Sequence, residues 1–405
     1  MTGVLAAGIE ALTALIPSAD PYPQLAALRE LSPYSPQDGL VIVGKYTHCS
    51  GLLRHPDVSS ARDQATLVRS EAPRSRNFLN LDPPDHTRLR RLITRAFTPR
   101  VVAELEPRIR AIADDLMDAA ARRETFDVVR DLASPLPMLV ICELLGVPAA
   151  DHDMLLSWSA ALARSVDLPE LRDVERVEAR ETARTRMEIV KYFQKLVARR
   201  RSSPAGDLIS YLTQVEDDGD TLSENELIAT CVLLVSAGHD TTVNLISNGI
   251  LALLRNPAAL STVADDPAAA PALVEEALRY DAPVQISARV ARTDMQVDGV
   301  SIAAGDLLVL LLGAANRDPS VFDRPEEFRP GREHAAKHLS FAAGPHFCLG
   351  SSLARLEGAI AFESATRLVE PKLDQAGLTY KPNLTLRGPA RMPVSVNGIR
   401  ERDHA

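Results

Sequence analysis

The run Phe341-Ala342-Ala343-Gly344-Pro345-His346-Phe347-Cys348-Leu349-Gly350 decides how this chain is read. Glycine and proline mark a tight loop there. The cysteine falls where the loop meets a helical pattern whose apolar face is Leu349, Leu353, Leu356 and Ile360. A cysteine at a helix N-terminus is expected to favour the thiolate, because amide hydrogens and the helix dipole stabilise negative charge. Such a thiolate is a nucleophile or a metal ligand; a cysteine buried merely as part of a cap is the plain alternative. A nucleophile wants a base positioned by a third group. His346 is two residues away, but the segment offers no orienting carboxylate. Zinc wants three or four ligands, and His346-x-Cys348 supplies at most two.

Around this loop run 405 residues, 46% hydrophobic and 24% charged, which is ample for a large core. No Gly/Ser tract, low-complexity block or repeat divides the chain, so one domain over 1–405 is expected. Aromatics make up 4%, while Ala, Leu and Arg abound, which favours helix over sheet. A net charge of −9 without a long basic run argues against a nucleic-acid partner. Cys49, Cys142, Cys231 and Cys348 are dispersed and form no CxxC pair, so they are not a disulfide framework. Cys142 and Cys231 read as small core residues. Residues 4–16 are mildly apolar but include Glu10 and lack a basic leader region. No stretch reaches the ~20 apolar residues that span a bilayer. A cytoplasmic protein without a membrane anchor is expected.

The hydrophobic pattern predicts a short helix at 22–31, a β-branched strand at 39–46 and a long loop at 60–80. Asp82-Pro83-Pro84 reads as an acidic cap with proline in the first turn. Helices are predicted at about 84–96, 101–121, 137–146, 151–164 and 171–202. Ser223 and Glu226 form an S-x-x-E capping box, after which apolar periodicity continues to Leu254. At ~1.5 Å per residue, that helix is ~50 Å long and crosses the molecule. Asn256-Pro257 closes it. A helix over 267–281 follows, then strands across 284–312 with turns at Asp298-Gly299 and Ala304-Gly305, a last long helix from about Leu349, and strands after Leu378.

A single thiolate in a loop beside an apolar residue suits a haem iron, which needs only one protein ligand. F-x-x-G-x-H-x-C-x-G resembles the haem-binding signature of the cytochromes P450, on Phe341, Gly344, His346, Cys348 and Gly350. Ala342 departs from it, where many members carry glycine. Glu276-Ala277-Leu278-Arg279 is similar to the family's E-x-x-R; alone, such an i, i+3 pair is most often a surface ion pair. In the family the pair is buried and joined by a downstream arginine, for which the resemblance points to Arg332, with Arg329 second. Ala237-Gly238-His239-Asp240-Thr241-Thr242 resembles the family's A/G-G-x-D/E-T. On a helical wheel Leu234, Ala237, Gly238, Thr241 and Leu245 share a face. Ala237 and Gly238 remove bulk beside the Thr241 hydroxyl, and Asp240 adds an acid for proton supply.

The resemblance implies a mainly α, triangular fold with small β-sheets, around haem b. Cys348 would be the iron ligand, with Ala237, Phe341 and Gly350 also at the haem. Positions matching His86, Arg90, Arg289 and His346 contact propionates in the family. His86 and Arg90 share a face of the early helix; Arg88, Arg91 and Arg95 lie nearly opposite and suit an acidic redox partner. The implied reaction puts one atom of O2 into a small lipophilic substrate, in a pocket drawing on Leu234, Ala237, Val284, Ile286 and Leu386. Electrons would come from NAD(P)H through a separate ferredoxin and ferredoxin reductase, because the chain shows no nucleotide-binding signature. Azole-type ligands are expected on the iron, and a monomer is expected. A peroxide-driven peroxygenase and a non-catalytic haem sensor or ligand carrier are the alternatives. Arg69, Arg74 and Arg76 in the 60–80 loop read as solvated.

Overall fold

A helix can cross a whole protein only if one part of it can be buried on every side. The helix from Glu224 to Arg255 meets that condition: every residue from Thr242 to Leu253 is buried. The computed structural model describes residues 12, 18–67, 77–121, 123, 125–163, 176–217 and 219–401. In chain order its helices are α1 (Tyr22–Leu31), α2 (Tyr46–Leu52), α3 (Asp85–Thr94), α4 (Pro99–Ala121), α5 (Pro135–Leu145), α6 (His152–Ala163), α7 (Arg176–Ser202), α8 (Leu208–Gln214), α9 (Glu224–Arg255), α10 (Pro257–Asp265), α11 (Ala270–Tyr280), α12 (Leu312–Ala315) and α13 (Ser351–Ala365). The chain is mainly α, as expected. Arg69, Arg74, Arg76 and 171–175 lie outside the described residues, as does most of 4–16.

The capping box at the start of α9 forms, with Ser223 N–H donating to Glu226 Oε2 at 2.8 Å and Glu226 N–H to Ser223 Oγ at 3.4 Å. Around α9 pack α5, α6, α7, α11 and α13. Pro257 stops α9 and also opens α10, at a position where no amide hydrogen is needed; that helix was not expected. Nor were α2 and α8, each of seven residues and too short to show a period. Asp82 does not cap α3. Its carboxylate accepts from the Ser59 hydroxyl and the Ser60 amide, and so ties down the preceding segment.

The β component is small. Strands β1 (Tyr34–Gln37), β2 (Leu40–Val43), β3 (Val58–Ser59), β4 (Ile286–Ala291) and β5 (Leu307–Leu311) make one sheet in the order β1-β2-β5-β4-β3. β5 runs parallel to β2 and antiparallel to β4. Along β4, Ile286, Ala288 and Val290 enter the core with Leu40, Ile42 and Leu307, while Ser287 and Arg289 take the other face. Near the C-terminus β6 (Thr379–Tyr380) pairs with β7 (Pro389–Arg391). No described helix is long and apolar enough to cross a membrane.

Candidate active site

The cysteine loop is closed by its own backbone. Cys348 N–H donates to the Phe341 carbonyl at 2.9 Å and Phe347 N–H to that of Gly344 at 3.1 Å. Gly344 has φ +68°, and a Cβ there would lie 2.6 Å from the Leu53 carbonyl oxygen, so glycine is required. Ala342 also takes a left-handed φ, of +57°. Helix α13 starts two residues later than expected, with Gly350 as its cap. Burial pushes the Cys348 thiol up, opposed by the Gly350 amide and the charges of Arg90 and Arg355. The lowered thiol expected from the helix terminus is therefore corrected: the sulfur precedes the cap, and desolvation wins. Cys348 nonetheless keeps accessible surface.

Two adjacent glutamates of α11 hold this loop from behind. Glu276 is fully buried and takes Arg279 Nε and Nη2 at 2.8 Å each, Arg332 Nε at 3.1 Å and the Arg329 amide at 2.7 Å. The guanidinium facing Glu276 beside Arg279 is thus Arg332; Arg329 gives only its backbone there, and its side chain reaches Asp323 at 3.1 Å. All five donors of Arg279 are used, the rest on the carbonyls of Asn316, Pro325 and Glu327. Asn316 then donates to Ser340 Oγ at 2.8 Å and accepts from the Leu339 amide, next to Phe341. Glu275 pairs with Arg355 and lies 3.4 Å from His338. Burial works against its charge, but His338 and Arg355 hold its carboxyl down at about 2. Arg355 also stacks over the Phe341 ring at 4.5 Å.

A cationic cluster gathers beside Cys348. The His86 and His346 rings stand 4.2 Å apart. Burial pushes His346 down to about 3, with Arg289 and His86 adding to it. Burial and then Arg62 lower Arg289 to about 10. Burial and Arg90 lower His86, which is buried with neither ring nitrogen hydrogen-bonded. Arg88 is corrected as a partner-facing residue: it bonds both oxygens of Glu226, at 2.9 and 3.1 Å, and pairs with Asp220 at 3.3 Å. Arg91 and Arg95 are exposed.

Opposite the loop, α9 carries the small-residue segment. A Cβ on Gly238 would meet nothing within 4 Å, and the same holds at Gly350. Thr241 Oγ1 donates to the Ala237 carbonyl at 2.7 Å. Asp240 is buried and accepts from Lys381 Nζ at 2.7 Å. A cavity of about 710 Å³ lies on another face of α9, lined by Ala229, Val232, Leu233 and Ser236, with Leu81 and Leu89 from the early segment and Val190 from α7. The expected pocket residues need correction here. Leu234 and Ala237 do not line the cavity, although they share an apolar cluster with its lining residues Leu89, Ile228 and Leu233; they stand about a quarter of a turn round α9 from Leu233 and Ser236. Ile286 is sheet core, because strand alternation turns it away from the Arg289 face. Val284 packs in the cluster with Ala342 and bridges to the buried Leu386, away from the cavity.

Comparison with known proteins gives this geometry its name. The family model "Cytochrome P450" matches residues 33–266 and 269–373. The chain belongs to the cytochrome P450 family. It is 40% identical over 321 residues to "Cytochrome P450 CYP107DY1" of Priestia megaterium, covering 78% of this chain and 76% of that one. It is 38% identical over 395 residues to "Vitamin D(3) 25-hydroxylase" of Pseudonocardia autotrophica, covering 93% and 94%. The crystal structure of ligand-free CYP164A2 from Mycobacterium smegmatis superposes with a TM-score of 0.89 at 42% identity, covering 98% of this chain and 100% of that one. The same protein has also been solved with econazole bound, with a TM-score of 0.88 at 40% identity and the same coverage.

This P450 is therefore a haem monooxygenase whose cofactor is haem b. Its residues fit that group on their own evidence. Arg289, pushed down by burial and by the charge of Arg62, and an orphaned buried histidine suit two propionates. A glycine with open space beside it suits a flat macrocycle. Among the described residues no three His, Cys, Asp or Glu side chains converge as zinc would require. Glu275, Arg355, Arg62 and Lys381 were missed by sequence reading. A hint existed for Arg355, at i+7 from the cysteine, and for Glu275, next to the E-x-x-R glutamate. Lys381 gave none.

Proposed function

We propose that this P450 oxidises a small lipophilic molecule, with Cys348 as the proximal iron ligand and His86, Arg90, Arg289 and His346 on the propionates. The observation that carries the assignment is the accessible thiol of a self-closed loop beside a cation cluster that has excess positive charge. Bound haem supplies the oxygen activation, and a thiolate ligand favours O–O cleavage. Ala237 and Gly238 keep α9 low at the haem face. Phe341 packs under Arg355 and steadies the loop, with Glu276, Arg279 and Arg332 as its scaffold. Thr241 and Asp240 handle protons beside the hollow at Gly238.

The lipophilic reading rests on Leu234, Ala237 and Gly238, the α9 face turned to the proposed haem, whereas the 710 Å³ cavity is lined from another face of that helix. Electrons from NAD(P)H would arrive through a separate ferredoxin and its reductase, with the exposed Arg91 and Arg95 suiting an acidic partner. Azole binding at the iron is supported by the econazole complex of the relative.

The deciding measurement is the visible spectrum of the reduced, carbon-monoxide-treated protein for wild type and Cys348→Ala. A strongly red-shifted Soret band that the variant loses supports the assignment. The same band persisting in the variant removes Cys348 as the ligand.

A further inference from the structure

A buried carboxylate that moves protons must be held, yet free to leave its holder. Asp240 is held by one residue far away in sequence. Lys381 Nζ donates to Asp240 Oδ1 at 2.7 Å and to Asn244 Oδ1 at 2.9 Å. The lysine side chain is 18% exposed and the aspartate 7%, so this pair is screened far less than a surface pair. Asp240 and Asn244 stand one turn apart on α9, and both accept from one ammonium. Asp240 Oδ2 and Asn244 Nδ2 are buried without a hydrogen-bond partner. Each acceptor thus keeps one idle polar atom inside the protein.

The lysine is placed with little tolerance. It follows β6 directly, and its amide donates to the Gly388 carbonyl at 3.1 Å across the β6–β7 turn. A Cβ on Gly388 would lie 2.3 Å from Asn244 Oδ1, so the turn's backbone is pressed onto α9 at that residue. On its other side Lys381 lines a hollow of about 20 Å³, with Ser18, Gln285, Asn383 and Arg387 among its walls. That is room for about one water molecule.

We propose that Lys381 is the positioning residue of the Asp240 acid, with Asn244 as the second acceptor that retains the ammonium when the carboxylate turns away. This rests on the reading of Asp240 as the proton-handling acid of the site. An ammonium with one buried acceptor would be stranded when that acceptor left. With two, Asp240 can rotate toward the Thr241 side while Lys381 stays satisfied by Asn244. Its idle Oδ2 is the atom left to take a new partner when the carboxylate turns.

The test uses the haem-loaded protein, reduced and bound to carbon monoxide, whose infrared stretch reads the local field without turnover. Wild type, D240N, K381M, the D240N/K381M double variant and Lys381→Arg are compared. The expected result is that K381M shifts the stretch, that the double variant shows no shift beyond D240N, and that Lys381→Arg stays near wild type. A stretch moved by D240N but unmoved by K381M overturns the proposal, as do fully additive shifts. If D240N itself is silent, the acid assignment fails and the proposal falls with it. Should K381M not retain haem, Lys381→Gln removes the positive charge while keeping a polar side chain and serves in the same comparison.

Discussion

The two sides of the site are built on opposite rules. Behind the cysteine loop, every donor of Arg279 is paired and Glu276 accepts from four different groups. Along α9, three buried polar residues one turn apart, Asp240, Asn244 and Asn248, each keep an atom without a partner. A fully paired charge network has one arrangement and holds a ligand loop still. Polar groups with spare bonding capacity have several arrangements. The loop side fixes an atom; the helix side leaves room for groups to change partners.

The largest effect should come from breaking the fixed side. Glu276→Ala leaves two guanidiniums, fully and nearly fully buried, without their carboxylate. Breaking a buried pair this way costs about 3–5 kcal/mol. The variant should show a sharply lower melting temperature and poor haem retention. An unchanged melting curve would mean that the network is not what holds the loop.

The helix side should answer differently. Thr241→Ala removes a hydroxyl whose hydrogen bond stays within its own turn, so folding and the carbon-monoxide spectrum should be kept. Product per NAD(P)H consumed should fall roughly 10²-fold, the usual size of a lost proton-transfer group, with hydrogen peroxide released instead. Undiminished coupling would remove the contrast at its functional end.

Glu357 is an exception that sharpens the comparison. It lies on α13, on the fixed side, yet it is buried with an unpartnered Oε2. Burial raises its carboxyl from 4.5 to about 8. Between those values the folded state binds the extra proton, so stability falls as pH rises through this window and levels off above it. Glu357→Gln should remove that slope and gain roughly 3 kcal/mol at neutral pH, with no gain below pH 4.5. Melting temperatures of both proteins across pH 4–8 check this. Parallel curves would place a proton donor or counter-charge beside Glu357.

The same contrast explains what could be read in advance. The fixed side was legible because its parts are local patterns: the cysteine loop and the E-x-x-R pair are each set by spacing along a few residues. Even Arg332 is near the loop in sequence. On the partner-changing side the Ala237–Thr242 segment was legible for the same reason, but the partners of Asp240 were not, because they come from chain segments meeting. Lys381 reaches Asp240 across 141 residues, and no local spacing encodes that. Ile286 was misplaced for a related reason. A strand has period two, so which residues face a pocket depends on register with its neighbours. Asp82 looked like a cap because Asp-Pro-Pro is a local signal, but the Ser59–Ser60 segment took its carboxylate.

The smallest predicted effect concerns the one departure within the loop pattern. Ala342 adopts φ +57°, where a Cβ costs about 1–2 kcal/mol. Replacing it with glycine removes that cost, but makes the unfolded chain more flexible by about 0.4–1 kcal/mol. Ala342 also packs, half-buried, against the cluster of Leu52, Leu308 and Leu339, and would forfeit that methyl contact. The terms nearly cancel, so Ala342→Gly should change stability by less than about 1 kcal/mol, toward stabilisation. The chemical denaturation midpoint is the measurement to make. If the fixed side is held by its charge network, a looser residue in the loop should leave the carbon-monoxide spectrum unchanged. A broadened or split Soret band in Ala342→Gly would mean that alanine, through its restricted backbone, helps to hold the sulfur in place.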